Sequence, residues 1–269
     1  MQSVDVQQFS GGFRAQNILR GPAYPAESSA YITLGSYEVP MMRIPIFFLV
    51  GALMSVVVEA HTSYEADLVC PIGGEKFKAV LAGSGTSYGK FLDLKPYGPI
   101  AAPWPLAKCP ANGFVMFQDK FSDTELSRLE TFVASTQYQE LKKTHTNYYL
   151  AASLQRQIDA PLSQLASTLL QATWEAPGGL YSVYAAEALE AYLALLKVEP
   201  TDSKSWVTYQ LIAGELERRL GKFEAAANRF SVLKENPSLN SFVKGIIEFQ
   251  LQLISEQNLT SQPIPSGKK

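Results

Sequence analysis

At 269 residues the chain is long enough for two modest domains or one larger one, and 46% hydrophobic with 18% charged residues suits a globular protein with a real core. A formal net charge of −2 leaves no electrostatic footprint for nucleic acid or an anionic membrane surface. Two Cys and two His would nearly all be consumed by one zinc site.

Residues 1–40 are rich in Gly, Ser, Pro and Gln with little apolar periodicity, and are expected to be disordered or not translated at all. The strongest compartment signal follows in "MMRIPIFFLVGALMSVVVEAHTS". Met41, Met42 and Arg43 precede an uncharged, mostly apolar run over 44–58, and Val58-Glu59-Ala60 is a small-x-small site before His61. Residues 41–60 therefore have the layout of a secretory signal peptide. The stretch is also long enough to act as an uncleaved anchor. The expected start of translation is Met41 or Met42. The expected compartment is the periplasm, with anchoring in the inner membrane, facing the periplasm, as the alternative.

Residues 61–121 are expected to form a small β/loop module. Candidate strands are 75–81 ("EKFKAVL"), 89–94 ("GKFLDL") and 113–118 ("GFVMFQ"), each short, rich in aromatic or branched residues and bounded by turn chemistry. Between the last two, Pro96, Pro99, Pro103, Pro105 and Pro110 exclude a helix.

From Ser122 the chain reads as helical to about residue 258. Ser122-Asp123-Thr124-Glu125 is a capping box, opening a helix to about Lys143. Thr144 or Thr146 caps the next, to about Ile158, and Pro161 suits the first turn of a third, to about Glu175. After "APGG", four more are expected at about 180–198, 203–220, 222–235 and 239–255. The tail, 259–269, is polar with two prolines and is expected to be disordered.

The helical part carries a repeat signal. In "LIAGELERRLGKFEAAANRFSVLKENP", Gly214, Gly221, Phe223, Ala226, Phe230 and Pro237 follow the spacing of a tetratricopeptide repeat, a unit of about 34 residues that packs two antiparallel helices. Gly214 and Ala226 permit close approach, while Phe223 and Phe230 fill the gap. One unit earlier, Ala188, Tyr192, Leu195 and Pro200 sit at matching offsets.

Two turns, "CPIGG" and "CPANG", look like zinc knuckles that have lost their second ligand to Gly73 and Asn112. The histidines offer no knuckle spacing: His61 sits at the cleavage edge and His145 between two helices. Export implies an oxidising compartment, so a disulfide between Cys70 and Cys109 is expected in place of a metal. Closing a loop of about 40 residues is worth about 4 kcal/mol in the chain-entropy model.

No enzymatic signature stands in the context its chemistry needs. "LAGSGTSYGKF" places Ser84 where a phosphate loop needs its first Gly. Gly85-Thr86-Ser87-Tyr88-Gly89 matches the letters of Gly-x-Ser-x-Gly, but it lies in a Gly/Ser-rich turn between candidate strands rather than at a strand-to-helix elbow, and there is no His-Glu-x-x-His motif. The acid pairs Glu187/Glu190 and Glu215/Glu217 read as solvated helix faces, though carboxylate chemistry needs no fixed spacing. Tyr97, Trp104, Tyr148 and Tyr149 (with Tyr88 nearby) either build a small core, the favoured reading, or form an exposed patch that binds a partner.

The stretch from Cys70 to about Ile158, "CPIGGEKFKAV" through "YQELKKTHTNYYLAA", resembles a bacterial family of uncharacterised function related to the DUF2225 group. The resemblance implies a ribbon-like head with Cys-Pro turns on a tetratricopeptide-like helical body. Metal-type relatives carry a second Cys in each turn, where this chain has Gly73 and Asn112.

Together these readings predict a mainly α protein with a small β/loop head. Its expected role is a non-enzymatic periplasmic adaptor, binding a protein of an envelope assembly such as secretion or cell-wall machinery. No catalytic residue, metal, cofactor or nucleic acid is expected, and membrane contact only through a retained N-terminal segment. The alternative is a carboxylate-based enzyme acting on an envelope polymer.

Overall fold

The computed structural model describes residues 61–265. The expectations for 1–40 and 41–60 lie outside the described residues.

The first element is a ribbon of β1 (Thr62–Val69) and β2 (Lys76–Ser84). The strands pair antiparallel, with Tyr64 opposite Leu81, Ala66 opposite Ala79 and Leu68 opposite Phe77. These six share one face, because side chains alternate along a strand. Glu65, Asp67, Lys76 and Lys78 lie on the other. The strand expected at 75–81 is β2. β1 was not anticipated, although Tyr64, Ala66 and Leu68 already alternate with polar residues.

A second, smaller hairpin pairs β3 (Gly89–Lys90) with β4 (Pro96–Tyr97). The strand expected at 89–94 stops at Lys90 because the chain turns back at once. Leu94 adopts φ 64°, its N–H donates to the Phe91 carbonyl, and Phe91 N–H donates to Lys95 O. The strand expected at 113–118 is reduced to a single bridge between Val115 and Lys108.

Among the described residues eight helices follow: α1 (Asp123–Ala134), α2 (Thr136–Thr144), α3 (Asn147–Gln157), α4 (Leu162–Glu175), α5 (Leu180–Leu196), α6 (Lys204–Arg219), α7 (Phe223–Lys234) and α8 (Ser241–Ser255). The capping box at Ser122 and Glu125 forms in full. The first expected helix is split, however. Ser135 is extended (φ −71°, ψ 149°), ends α1 and caps α2 by accepting the Tyr138 N–H on its hydroxyl. From α3 onward each helix packs on its successor.

Head and helices share their apolar core. Cys70, Cys109, Phe114, Val115 and Phe117 cluster with Leu129, Val133, Tyr138, Leu150 and Leu154 of α1–α3. A second cluster joins α3 to α6, and a third joins α7 and α8. Where the head alone is too small to stabilise itself, α1–α3 supply the missing apolar surface.

The tail corrects an expectation. Up to Pro265 it is not a free end but a strap. Gln257 turns the chain after α8 with φ 51°. Leu92 N–H then donates to Gln262 O (2.9 Å), Ile264 N–H donates to Lys90 O (2.8 Å), and Pro263 bridges Phe91 beside β3. Ile264 packs with Leu92, Ile246 and Leu253.

Candidate functional site

The two Cys-Pro turns have the same form. Gly74 N–H donates to Cys70 O and Cys70 N–H to Glu75 O; Gly113 N–H donates to Cys109 O and Cys109 N–H to Phe114 O. The turns face each other, and the sulfurs of Cys70 and Cys109 lie 2.08 Å apart, at disulfide distance, with each residue only 1% exposed. Asn112, in the place of a second ligand, ties the turns together: Nδ2 donates to Ile72 O (2.8 Å) and Oδ1 accepts Phe114 N–H (2.9 Å). Glu75 adds a further tie by accepting the Ala111 N–H. Gly73, in the other vacant ligand position, has φ 87°, a conformation that disfavours a cysteine. No group of three or more His, Cys, Asp or Glu among the described residues is arranged to hold a metal.

The four aromatics proposed for partner binding do not form a common surface. Trp104 is 40% exposed, whereas Tyr148 and Tyr149 are buried. Tyr148 donates its hydroxyl to Trp104 O (2.8 Å), pinning the proline-rich loop to α3. Tyr97 is half-buried and meets Phe91 edge-on. Tyr149 stacks against His145 (centroids 4.2 Å) and Tyr184 (4.4 Å), and donates its hydroxyl to Glu187 (2.6 Å). Glu187 also takes Arg156, so its charge is shared. Burial, aided by the Glu187 carboxylate, pushes the Tyr149 phenol up to about 12. Burial also lowers the His145 pKa, partly opposed by Glu187.

The α6–α7 pair carries the residues of the expected repeat. A β-carbon on Gly214 would stand 2.6 Å from Phe230 Cε2 and 2.9 Å from Cε1, so the phenyl ring rests directly on the α6 backbone. Ala226 and Phe230 are buried, Phe223 is half-buried, and Gly221 turns the chain between the helices with φ 75°.

The same pair holds two open hollows that share Trp206. The first, about 410 Å³, lies between the start of α6 (Ser203, Lys204, Val207) and the loop at Asn236–Leu239. The second, about 320 Å³, is lined by Gln210, Glu217, Asn228, Arg229 and Val232. Trp206, half-buried against the cluster of α7 and α8, lines both hollows. Trp206, Gln210 and Arg229 were not singled out from sequence. The available signal was a Trp three residues after the Ser203 cap, whose hydroxyl accepts the Trp206 N–H.

The acids of α6 also correct an expectation, since Glu215 and Glu217 are buried rather than solvated. Arg218, fully buried, donates to both Glu215 oxygens (2.8 and 2.9 Å), to Gln250 (3.0 Å), and to the carbonyls of Asn258 and Thr260 on the strap. Burial pushes the Glu215 carboxyl up to about 7, against the opposing pull of Arg218. Glu217 is held in a bidentate pair by Arg229 (2.7 and 2.8 Å), which also donates to Gln210. Nearby, Arg219 joins Asp93 of the head (3.2 Å) and covers the Tyr181 ring at 4.0 Å. Each hollow is lined by a single acid, Asp202 in the first and Glu217 in the second, and Glu217 is already committed to Arg229. Two carboxylates flanking one cleft, as glycoside hydrolysis requires, are not assembled in either hollow.

No protein-family model, no curated protein and no solved structure matches the chain.

Proposed function

We propose that the protein is a non-enzymatic periplasmic scaffold, whose α6–α7 groove binds a segment of another cell-envelope protein. Residues 41–60 would direct the body across the inner membrane. The resemblance to the bacterial group named above and a tetratricopeptide-like reading of α6–α7 belong to this same proposal. The observation that carries it is the pair of hollows about Trp206, built on a helix pair whose buried charges are consumed by its own structure. An aromatic at the centre of a groove, with solvated polar groups around it, is the usual anatomy of a binding hot spot. Val232, 65% exposed at the rim, offers a position for a photo-crosslinking residue that leaves the fold untouched. The expected result is a discrete adduct with one envelope protein, lost when Trp206→Ala is added. Absence of any adduct from Val232, or an adduct indifferent to Trp206→Ala, would refute the groove as the binding surface.

A further inference from the structure

The β1–β2 ribbon has an amphipathic design that the helical groove does not explain. One face is wholly apolar: Tyr64, Ala66, Leu68, Phe77, Ala79 and Leu81. The opposite face is mixed: it carries Glu65, Asp67, Lys76 and Lys78, with Glu65 and Lys78 paired across the strands, and also the exposed Val69 and Val80. The sheet has two strands only, so among the described residues neither long edge is paired. At its base the ribbon is held by the Cys70–Cys109 link and by Phe77, which packs on the core of the head. Beyond that, Tyr64, Leu68 and Leu81 join none of the apolar clusters among the described residues, and Tyr64 is 50% exposed. A lone two-stranded ribbon is at best marginally stable in water and needs a cover for its apolar face.

The position of the ribbon in the chain bears on what that cover is. Its far end, at Thr62, is where the preceding residues enter, and only Glu59, Ala60 and His61 separate it from the apolar run 44–58. Four Cα steps span at most about 14 Å. The polar layer on each side of a bilayer's hydrocarbon core is roughly 5–8 Å thick. If that run were held in the bilayer, the start of β1 would be kept at the membrane surface. There, a ribbon with one wholly apolar face, an opposite face that holds all four of its charges, and an exposed tyrosine meets the requirements of an interfacial element.

We propose that 41–60 is retained as an anchor and that the ribbon lies on the outer surface of that bilayer, with the Tyr64/Leu68/Leu81 face on lipid. This inference rests on the anchored form of the exported scaffold and is independent of the groove at Trp206.

The test uses the full chain in phosphatidylcholine vesicles, with both native cysteines oxidised. Single cysteines at Tyr64→Cys, Leu81→Cys, Glu65→Cys and Lys78→Cys are labelled with a nitroxide. Accessibility is then measured against oxygen, which enters lipid, and against a water-soluble nickel chelate. The expected result is alternation: positions 64 and 81 several-fold more accessible to oxygen relative to nickel than positions 65 and 78. Equal nickel access on both faces would overturn the proposal, as would failure of the chain to float with the vesicles. Protection of 64 and 81 from both reagents would also overturn it, assigning the face to a protein instead.

Discussion

The side-chain amide of Asn112 donates a hydrogen bond to the carbonyl of Ile72 at 2.8 Å, joining the two Cys-Pro turns a second time beside their sulfur link. Its Oδ1 accepts the N–H of Phe114, so the side chain is satisfied at both ends. A residue standing where a metal ligand would be is thus recruited as a structural tie. Asn112→Ala should cost about 1–2 kcal/mol in urea unfolding of the oxidised protein. Asn112→Asp should cost more, because it sets a carboxylate against the Ile72 carbonyl. If Asn112→Asp were as stable as the parent, this tie would carry no weight.

The link between Cys70 and Cys109 yields a separate expectation. The native protein, treated with an alkylating reagent without reductant, should show no labelled thiol, and after denaturation and reduction it should show two. At 1% exposure the sulfurs are shielded from attacking thiolates, so mild reductant should act slowly on the folded chain. Replacing both cysteines by alanine should lower stability by about 4 kcal/mol, the chain-entropy value for a loop of this length. Two thiols labelled in the native protein would refute the link.

Gly214 should not tolerate a side chain. Phe230 occupies the space a methyl would need, and both residues sit inside helices that leave little room to shift. Gly214→Ala should destabilise by about 1–3 kcal/mol despite the better helix propensity of Ala. Adding Phe230→Leu should recover part of that loss, a non-additivity expected of two residues in direct contact. Strict additivity of the two changes in thermal unfolding would show that α6 and α7 are not packed in this register.

How much of this was legible beforehand depended on range. Ser122 with Glu125, Pro161, and the Gly214/Phe230 spacing all act within one helix or one helical pair, and local sequence carries them. The break at Ser135 was missed because hydrophobic periodicity runs through it, although a serine followed by Thr136 and Gln137 is a usable cap signal. β1 was passed over because its first residues were read as the edge of a cleavage site. Glu215 and Glu217 looked solvated because an i,i+3 pair such as Glu215–Arg218 suits an exposed helix face equally well, and the groups that complete their burial lie far off in sequence: Gln250 on α8 and Arg229 on the facing helix. The strap was least legible. It depends on Leu92 and Lys90 meeting residues at the far end of the chain, and no local pattern encodes such a pairing.

Arg218 is the single residue on which the strap depends most. Its guanidinium satisfies Glu215, Gln250 and two strap carbonyls in a region closed to water. Arg218→Met should leave the two strap carbonyls without their guanidinium donor and the buried Glu215 carboxyl with Gln250 alone and no counter-charge, at a cost of about 3–5 kcal/mol. The double change Arg218→Met with Glu215→Leu should recover much of this, since no uncompensated buried charge remains. Hydrogen exchange at the Leu92 amide, which donates to Gln262, should accelerate in Arg218→Met ahead of the helix interiors. Unchanged protection at Leu92 would uncouple the strap from the buried network.

Glu215 and His145 make opposite contributions to the pH dependence of stability. The folded protein raises the Glu215 carboxyl from 4.5 to about 7, chiefly through burial. The native state therefore favours the protonated acid, and this contribution, complete below about 4.5, is lost as pH rises through about 7. His145 has its pKa lowered from 6.5 by burial. Its contribution is present above 6.5 and is lost as pH falls through the lower folded value. Glu215→Gln mimics the protonated acid at every pH while keeping hydrogen-bonding capacity beside Arg218 and Gln250. Relative to this variant, the parent should lose stability steadily between pH 4.5 and 7, measured by urea midpoints at fixed ionic strength. His145→Gln should remove the opposing slope at the acid side and leave the Glu215 effect intact, because the two residues lie in separate clusters. A stability difference between parent and Glu215→Gln that stays constant over this window would mean that Glu215 remains ionised throughout, held by Arg218 against its burial.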